Sequence, residues 1–301
     1  VITEFMKQMK ALSPEYKPQA GKMVNNFKRE VENQFNQFQD RLVSDKKSDI
    51  DYSLPEYDIP VGSSHLLSIV RTRLENIFLK MGYEIAYGPE VETEYYNFTA
   101  LNIPEEHPAR NEQDTFFIQG FSDMILRTHT SPVQIRYMKH HRPPIKIISP
   151  GKAFRKDEPD ATHTPVFNQI EGLLVDRGIH FSHLKGTLEL FIKSFFGQDV
   201  NLRFRPGYFP FTEPSAEVDI SCFLCNGSNP ECRICKGTGW LEILGSGMVH
   251  PQVLKNCDID PDEYSGFAFG MGIERIAMLK YGINDIRLFY DNDLRFLRQF
   301  S

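Results

Sequence analysis

The chain has 301 residues, 41% of them hydrophobic and 25% charged, with a net charge of −6. That length suggests about two domains with a sizeable core, and the acidic balance excludes nucleic-acid binding through overall charge, leaving only local patches. No apolar run approaches the ~18 residues of a membrane span, and the opening VITEFMKQMK has neither a secretory pattern nor an initiator Met, so a chain shortened at its N-terminus is expected.

Residues 1–10 read as the end of a helix, Ser13-Pro14 as a turn, and 19–43 as a long helix. Along it Val24, Phe27, Val31, Phe35, Phe38 and Leu42 recur at steps of three and four, the pattern of an amphipathic face or coiled-coil seam. An antiparallel helical arm over 1–45 is expected; a helix merely packed on the core is the plain alternative. Residues 46–60 are polar, charged and Pro-containing, as in a linker, and a second domain spans 61–301. It opens with a helix over 64–81, capped by Ser63 or Ser64 and closed by Gly82. Strand-like runs follow at Tyr83–Tyr87, Ile145–Ser149, Phe167–Val175, Val200–Arg205 and Trp240–Leu244, with helices near 131–141, 182–196 and 271–281. Strands outnumber crossover helices in the second half. The expected class is therefore α+β, with a mostly antiparallel sheet flanked by helices.

Two segments carry candidate chemistry. Residues 151–176, GKAFRKDEPDATHTPVFNQIEGLLVD, read as a hairpin with Arg155 on one arm and Phe167, Gln169 and Glu171 on the other. Side chains alternate along a strand, so those three share a face that would suit an adenine ring, a phosphate and a primary ammonium. A surface hairpin with solvated charges explains the same pattern. Residues 266–282 place Gly266, Gly270 and Gly272 on a strand that runs into a helix bearing Glu274 and Arg275. Glycines permit close backbone approach and a helix N-terminus favours anions, but a glycine-rich packing contact is the alternative. The spacing is neither a Walker loop nor a dinucleotide fingerprint.

A third segment, CFLCNGSNPECRICKGTG at 222–239, holds four of the five cysteines as Cys222-x₂-Cys225-x₆-Cys232-x₂-Cys235. That spacing gives two knuckles able to fold on one tetrahedral Zn²⁺ with a structural role, because four thiolates leave no open position. Two disulfides are the alternative. A chain without a secretory pattern is expected in a reducing, cytoplasmic compartment, which favours the metal. Cys257 is left over as an ordinary thiol.

Taken together, Ala153-Phe-Arg-Lys-Asp157 with Phe167 and Glu171 resembles motif 2 of the class II aminoacyl-tRNA synthetases, residues 266–275 resemble motif 3, and Gly88-Pro89 is similar to the motif 1 proline. The blocks THTSPVQ at 128–134, DATHTPVFNQIEG at 160–172, FPFTEPSAEVD at 209–219 and YSGFAFGMGIER at 264–275 resemble the bacterial phenylalanyl-tRNA synthetase alpha subunits, in order and over essentially the whole chain. The resemblance implies ATP-dependent activation of L-phenylalanine and transfer to tRNA(Phe), with Mg²⁺ and a beta subunit, as an α2β2 assembly; a catalytically silent paralogue binding tRNA or protein is the alternative. It implies that Arg155 bridges the α-phosphate and the substrate carboxylate, that Asp157 joins it in binding ATP, that Arg275 holds the γ-phosphate and lies along adenine, and that Phe167 stacks on the other ring face. It places the amino acid among His129, Ser131, Gln169 and Glu171, with Phe209 and Phe211 against the phenyl ring, Ala268 at its para position, and Glu213 at Mg²⁺. The arm would contact tRNA through Lys7, Lys10, Lys17, Lys22, Lys28 and Arg29, although a solvated charged face explains these equally. The zinc segment is a departure: many members of the family have a short turn there.

Overall fold

The computed structural model describes residues 2–44, 62–111, 113–225, 227–232 and 234–300. The expected linker at 46–60 lies outside the described residues. The chain divides into two compact units, 1–61 and 62–301.

In the first unit α1 (Ile2–Gln8) runs through a short 3₁₀ turn into α2 (Lys17–Ser44). The helix expected there is formed, and on it Phe27, Phe35 and Phe38 are all more than half exposed.

The second unit is built on a seven-stranded sheet ordered β1-β4-β5-β9-β8-β7-β6, formed by β1 (Glu84–Ile85), β4 (Ile145–Phe154), β5 (Val166–Asp176), β6 (Leu202–Phe209), β7 (Thr212–Ser221), β8 (Trp240–Val249) and β9 (Ser265–Gly272). Only the β1–β4 pair is parallel, so the antiparallel expectation holds. A small ribbon pairs β2 (Val91–Thr93) with β3 (Met124–Leu126). The helices are α3 (Leu66–Lys80), the short α4 (Glu94–Asn97), α5 (Ser131–His140), α6 (Phe181–Phe196), α7 (Pro251–Asn256), α8 (Ile273–Tyr281) and the short α9 (Leu294–Leu297).

The caps of α3 differ partly from expectation. His65, not Ser63 or Ser64, caps its start, its Nδ1 accepting the Leu67 N–H at 3.2 Å while Nε2 lies 3.0 Å from the Phe289 carbonyl. The ring thus joins the helix to the C-terminal segment, which a serine is too short to do. At the other end Gly82 takes φ +84°, and the N–H groups of Gly82 and Tyr83 donate to the carbonyls of Leu79 and Phe78. This is a Schellman closure, completed by the edge-on contact of the Tyr83 and Phe78 rings.

Alternation along the two central strands sorts the sheet into two faces. Ile170 and Leu174 on β5, with Phe267, Phe269 and Met271 on β9, face the layer of α3, α6 and α8. Phe269 stacks on Phe78 at 5.1 Å, and Phe78 on Phe191 at 5.0 Å, tying β9 to α3 and α6. Gly172, paired with Phe269, is where that ring lies: a Cβ there would sit 2.1 Å from the ring. The opposite face carries Leu173, Val175 and Ala268 against Ile125, Val133 and Ile135. Gln169 and Glu171 fall on that face too.

Candidate active site

On this second face lies a cavity of about 620 Å³, within the ~300–1,000 Å³ usual for ligand clefts. Nine of the residues expected at the site line it: His129, Ser131, Arg155, Asp157, Gln169, Glu171, Phe209, Phe211 and Ala268. They arrive from several elements. The β4–β5 hairpin forms as expected, with Arg155 one residue beyond β4, and the register sets Glu171 opposite Gly270 and Gln169 opposite Gly272. Glycine at 270 matters, because a Cβ would stand 3.0 Å from Glu171 Cγ.

Glu171 is buried, and Oε2 accepts hydrogen bonds from Ser131 Oγ at 2.7 Å and Gln134 Nε2 at 2.9 Å. Burial still pushes its pKa up to about 7, against the pull of Ser131, the Thr130 backbone, Arg127 and Arg155. Beside it, among the described residues, Gln169 Oε1 is buried with no hydrogen-bond partner, and both ring nitrogens of His129 are buried with the Asn97 backbone beside the ring. Burial and the nearby charges of Arg155 and Arg127 hold the His129 pKa down to about 3, so the imidazole is neutral. Buried polar atoms are normally partnered, so the Gln169 oxygen presents an acceptor at the cavity wall.

Arg155 donates from Nε to the Thr128 carbonyl at 3.1 Å and lies over the Phe167 ring at 5.0 Å. Burial lowers its pKa, opposed by Asp157 and Glu171, but a guanidinium keeps its charge. Phe209 and Phe211 stack on each other at 5.8 Å and 17°. A Cβ on Gly245 would lie 2.7 Å from the Phe209 ring, so β8 is cut away to seat that aromatic.

Three expected residues are not brought to the cavity lining. Phe167 lies beneath Arg155. Arg275, in the first turn of α8, is within electrostatic reach of Glu242. Glu213 is 74% exposed and faces His250 Nε2 at 3.3 Å. The carboxylates that do line the cavity on the β7–β8 side are Glu217 and Glu242, both paired to Arg205 at 2.8 and 2.9 Å, and Arg205 is fixed in turn by Asp219. Those two, with His107, Asp114 and Tyr208, went unread in the sequence, since isolated polar residues in strands and loops carry no periodic signal.

The four cysteines form a cluster at the end of the β7–β8 hairpin, with every Sγ within 4.8 Å of the others and no disulfide among them. The Cys222–Cys232 and Cys225–Cys235 separations of 3.9 and 3.5 Å bracket the ~3.8 Å between ligands of a tetrahedral ion with metal–sulfur bonds near 2.3 Å. The backbone N–H groups of Cys235 and Ile234 pull the Cys232 thiol down to about 6. Gly237, at φ +80°, has its missing Cβ only 2.3 Å from the Pro230 carbonyl oxygen, which accounts for a glycine in the second knuckle. The donor set fits a metal ion.

The family described as tRNA synthetases class II core domain (F) matches residues 49–300, and the class II N-terminal domain family matches 1–49. A protein of Caldicellulosiruptor saccharolyticus named phenylalanine–tRNA ligase alpha subunit is 58% identical over 306 residues, covering 100% of this chain and 89% of that protein. This chain belongs to the phenylalanine–tRNA ligase alpha subunit family.

Its class II relatives of the same name include proteins of Caldicellulosiruptor bescii, 56% identical with the same coverage, and of Clostridium botulinum, 53% identical over 99% of this chain and 89% of that one. Among solved structures, pyrrolysyl-tRNA synthetase from Desulfitobacterium hafniense superposes with a TM-score of 0.57 at 15% identity, covering 98% of this chain and 94% of that one. At that identity the likeness is one of fold, and the fold is the class II synthetase fold. Among the described residues, no helix is long and apolar enough to cross a membrane.

Proposed function

We propose that the chain activates L-phenylalanine with ATP and passes the phenylalanyl group to tRNA(Phe), acting in the cytoplasm as the catalytic alpha subunit of an α2β2 enzyme. The observation that carries this reading is one cavity holding a buried carboxylate, an unpartnered amide oxygen, a guanidinium and a stacked aromatic pair. Glu171 and Gln169 Oε1 receive the ammonium, Phe209 and Phe211 receive the phenyl ring, and Ala268 limits the depth. Arg155 then spans the substrate carboxylate and the α-phosphate. A carboxylate oxygen attacks the α-phosphorus, the bond to pyrophosphate breaks, and no protein nucleophile takes part. Catalysis rests on positioning and on charge placed where it develops. Asp157 orients Arg155, while Phe167 and Arg275 serve the adenine and γ-phosphate from just outside the cavity lining.

Mg²⁺ would accompany ATP and spread the charge on its phosphates; the exposed carboxylate of Glu213 is open to such an ion, and Glu217 and Glu242 stand at the lining. Zn²⁺ suits the four thiolates in a structural role. An apolar pocket rejects an added hydroxyl by only ~100-fold, so tyrosine correction is assigned to the beta subunit. The arm residues Lys7, Lys10, Lys17, Lys22, Lys28 and Arg29 are assigned to tRNA. A silent paralogue is disfavoured because Arg155, Arg275, Phe167 and Glu171 are all present.

The deciding experiment is phenylalanine-dependent ATP–pyrophosphate exchange by the chain co-expressed with its beta subunit, beside Arg155→Ala. Exchange that vanishes in the variant is the expected result. A folded complex with no exchange for any amino acid would restore the silent paralogue.

A further inference from the structure

Behind the cavity is a guanidinium to which the activation chemistry assigns no contact. Arg127 follows β3 directly and is only 3% exposed. Its Nε donates to the Lys152 carbonyl at 2.7 Å, and one terminal nitrogen donates to the carbonyls of Gly88 and Pro89, each at 3.2 Å. The other terminal nitrogen lies over Gly151, where a Cβ would stand 2.1 Å away. These hydrogen-bond acceptors are all backbone carbonyls, so burial lowers the Arg127 pKa at a desolvation cost, and the nearby carboxylates of Glu90, Glu171 and Glu92 offset it through charge alone.

The main chain around it shows what that arrangement does. The Arg127 N–H donates to the Glu90 carbonyl at 3.0 Å, and its own carbonyl accepts the Phe154 N–H at 2.9 Å. The next carbonyl, that of Thr128, accepts Arg155 Nε. Thr128 is fixed from its other side by Asn97, through the backbone N–H at 3.1 Å and the hydroxyl at 2.9 Å. Segments 88–90, 127–128 and 151–155 are therefore bound into one block, and the exit from that block is the Arg155 side chain.

We propose that Arg127 is a positioning residue for amino-acid activation, clamping the Gly88-Pro89 segment, Thr128 and the end of β4 together so that Arg155 is aimed before substrate arrives. The inference rests on the activation reading above. Two separable effects follow. The first is geometric: without the three-way fork Arg155 loses its aim, and the loss falls on kcat, since misplacement of about 1 Å can cost on the order of 100-fold. The second is electrostatic. Arg127 and Arg155 are the cations acting on Glu171, and the other groups facing that carboxylate are the Thr130 backbone N–H, Ser131 and Gln134 on α5, Gln169 on its own strand, His129, and Gly270 of β9, which brings no charge. Removing the Arg127 charge lets the Glu171 pKa rise further, and phenylalanine KM then begins to climb at a higher pH.

The test uses the full chain with its beta subunit, measuring ATP–pyrophosphate exchange from about pH 6 to about 8.5 for Arg127→Lys, Arg127→Met and Gly151→Ala. The Lys variant keeps the charge but not the fork, so kcat is expected to fall by tenfold or more, about 1.4 kcal/mol at the threshold, with the acid limb of phenylalanine KM in place. The Met variant should lose kcat and shift that limb to higher pH. Gly151→Ala, which displaces the guanidinium without removing it, should reproduce the Lys behaviour and decides the matter with it if the Met variant does not fold. Variants that lose thermal stability while kcat, KM and the acid limb stay at wild-type values would reduce Arg127 to a structural residue and overturn the proposal. Absence of exchange in the wild-type complex is a different failure: it would take down the activation reading and this inference with it.

Discussion

At the scale of single residues, Glu171 sets a pH dependence whose sign follows from its surroundings. Burial raises its folded pKa to about 7, above the ordinary value near 4.5. The neutral form is therefore the one the empty fold favours; that contribution to stability is complete below pH ~4.5 and is lost as pH rises through 7. In the proposed binding mode the substrate ammonium reverses the preference, because it requires the carboxylate. Phenylalanine should raise Tm more at pH 8 than at pH 6, and its KM should climb as pH falls below 7. Thermal melts with and without the amino acid check the first, and Glu171→Gln should flatten both profiles. A second prediction concerns Gly245, where any Cβ meets the Phe209 ring. Gly245→Ala should raise phenylalanine KM by about tenfold, roughly 1.4 kcal/mol of binding, with ATP KM unchanged in steady-state exchange assays. The period-two spacing of Phe167, Gln169 and Glu171 was readable in the sequence, whereas His129 and Phe209 were legible only through resemblance to a family. Arg127 was not legible at all, since a buried arginine bound to carbonyls looks in sequence like any surface arginine.

Among the elements, α3 offers the cleanest test of local sequence logic. Gly82 sits at φ +84° in the closing turn, with only Lys146 Nζ near its missing Cβ. Strain, not crowding, thus sets the effect, and Gly82→Ala should cost about 1–2 kcal/mol in chemical denaturation. The strands show why element limits were harder to read than element positions. β4 continues past Ser149 through Pro150 because β1 pairs only with Ile147 and Ile148, so the proline's missing N–H breaks no ladder bond on that side. β8 runs on to Val249 through Gly245 and Gly247, which have no side chain to declare a periodicity. Those glycines are kept by the Phe209 ring and by Thr212 and Pro214. β7 went unread for a related reason: its pairing with β8 shifts register between Thr212 and Ser215, and Pro214 falls inside the irregularity.

For the whole molecule, the four-cysteine cluster and the division into two units make separate predictions. Elemental analysis should find about one zinc per chain, and chelation should lower Tm. Cys232→Ser should do the same without added chelator, by opening the end of the β7–β8 hairpin where Cys222 N–H meets the Gly239 carbonyl at 2.8 Å. Residues 62–301, co-expressed with the beta subunit, should keep phenylalanine-dependent exchange but lose most tRNA charging, because the arm lies in 1–61. One feature of the sheet reaches beyond any single assay. The Phe269 ring occupies the space a side chain at Gly172 would need, and the same ring is stacked into the helices behind the sheet. Neither position can change first without penalty, so descendants of this chain should carry glycine and a large aromatic together, or exchange both in one lineage. Just across the backbone, Glu171 inherits that immobility as its neighbour.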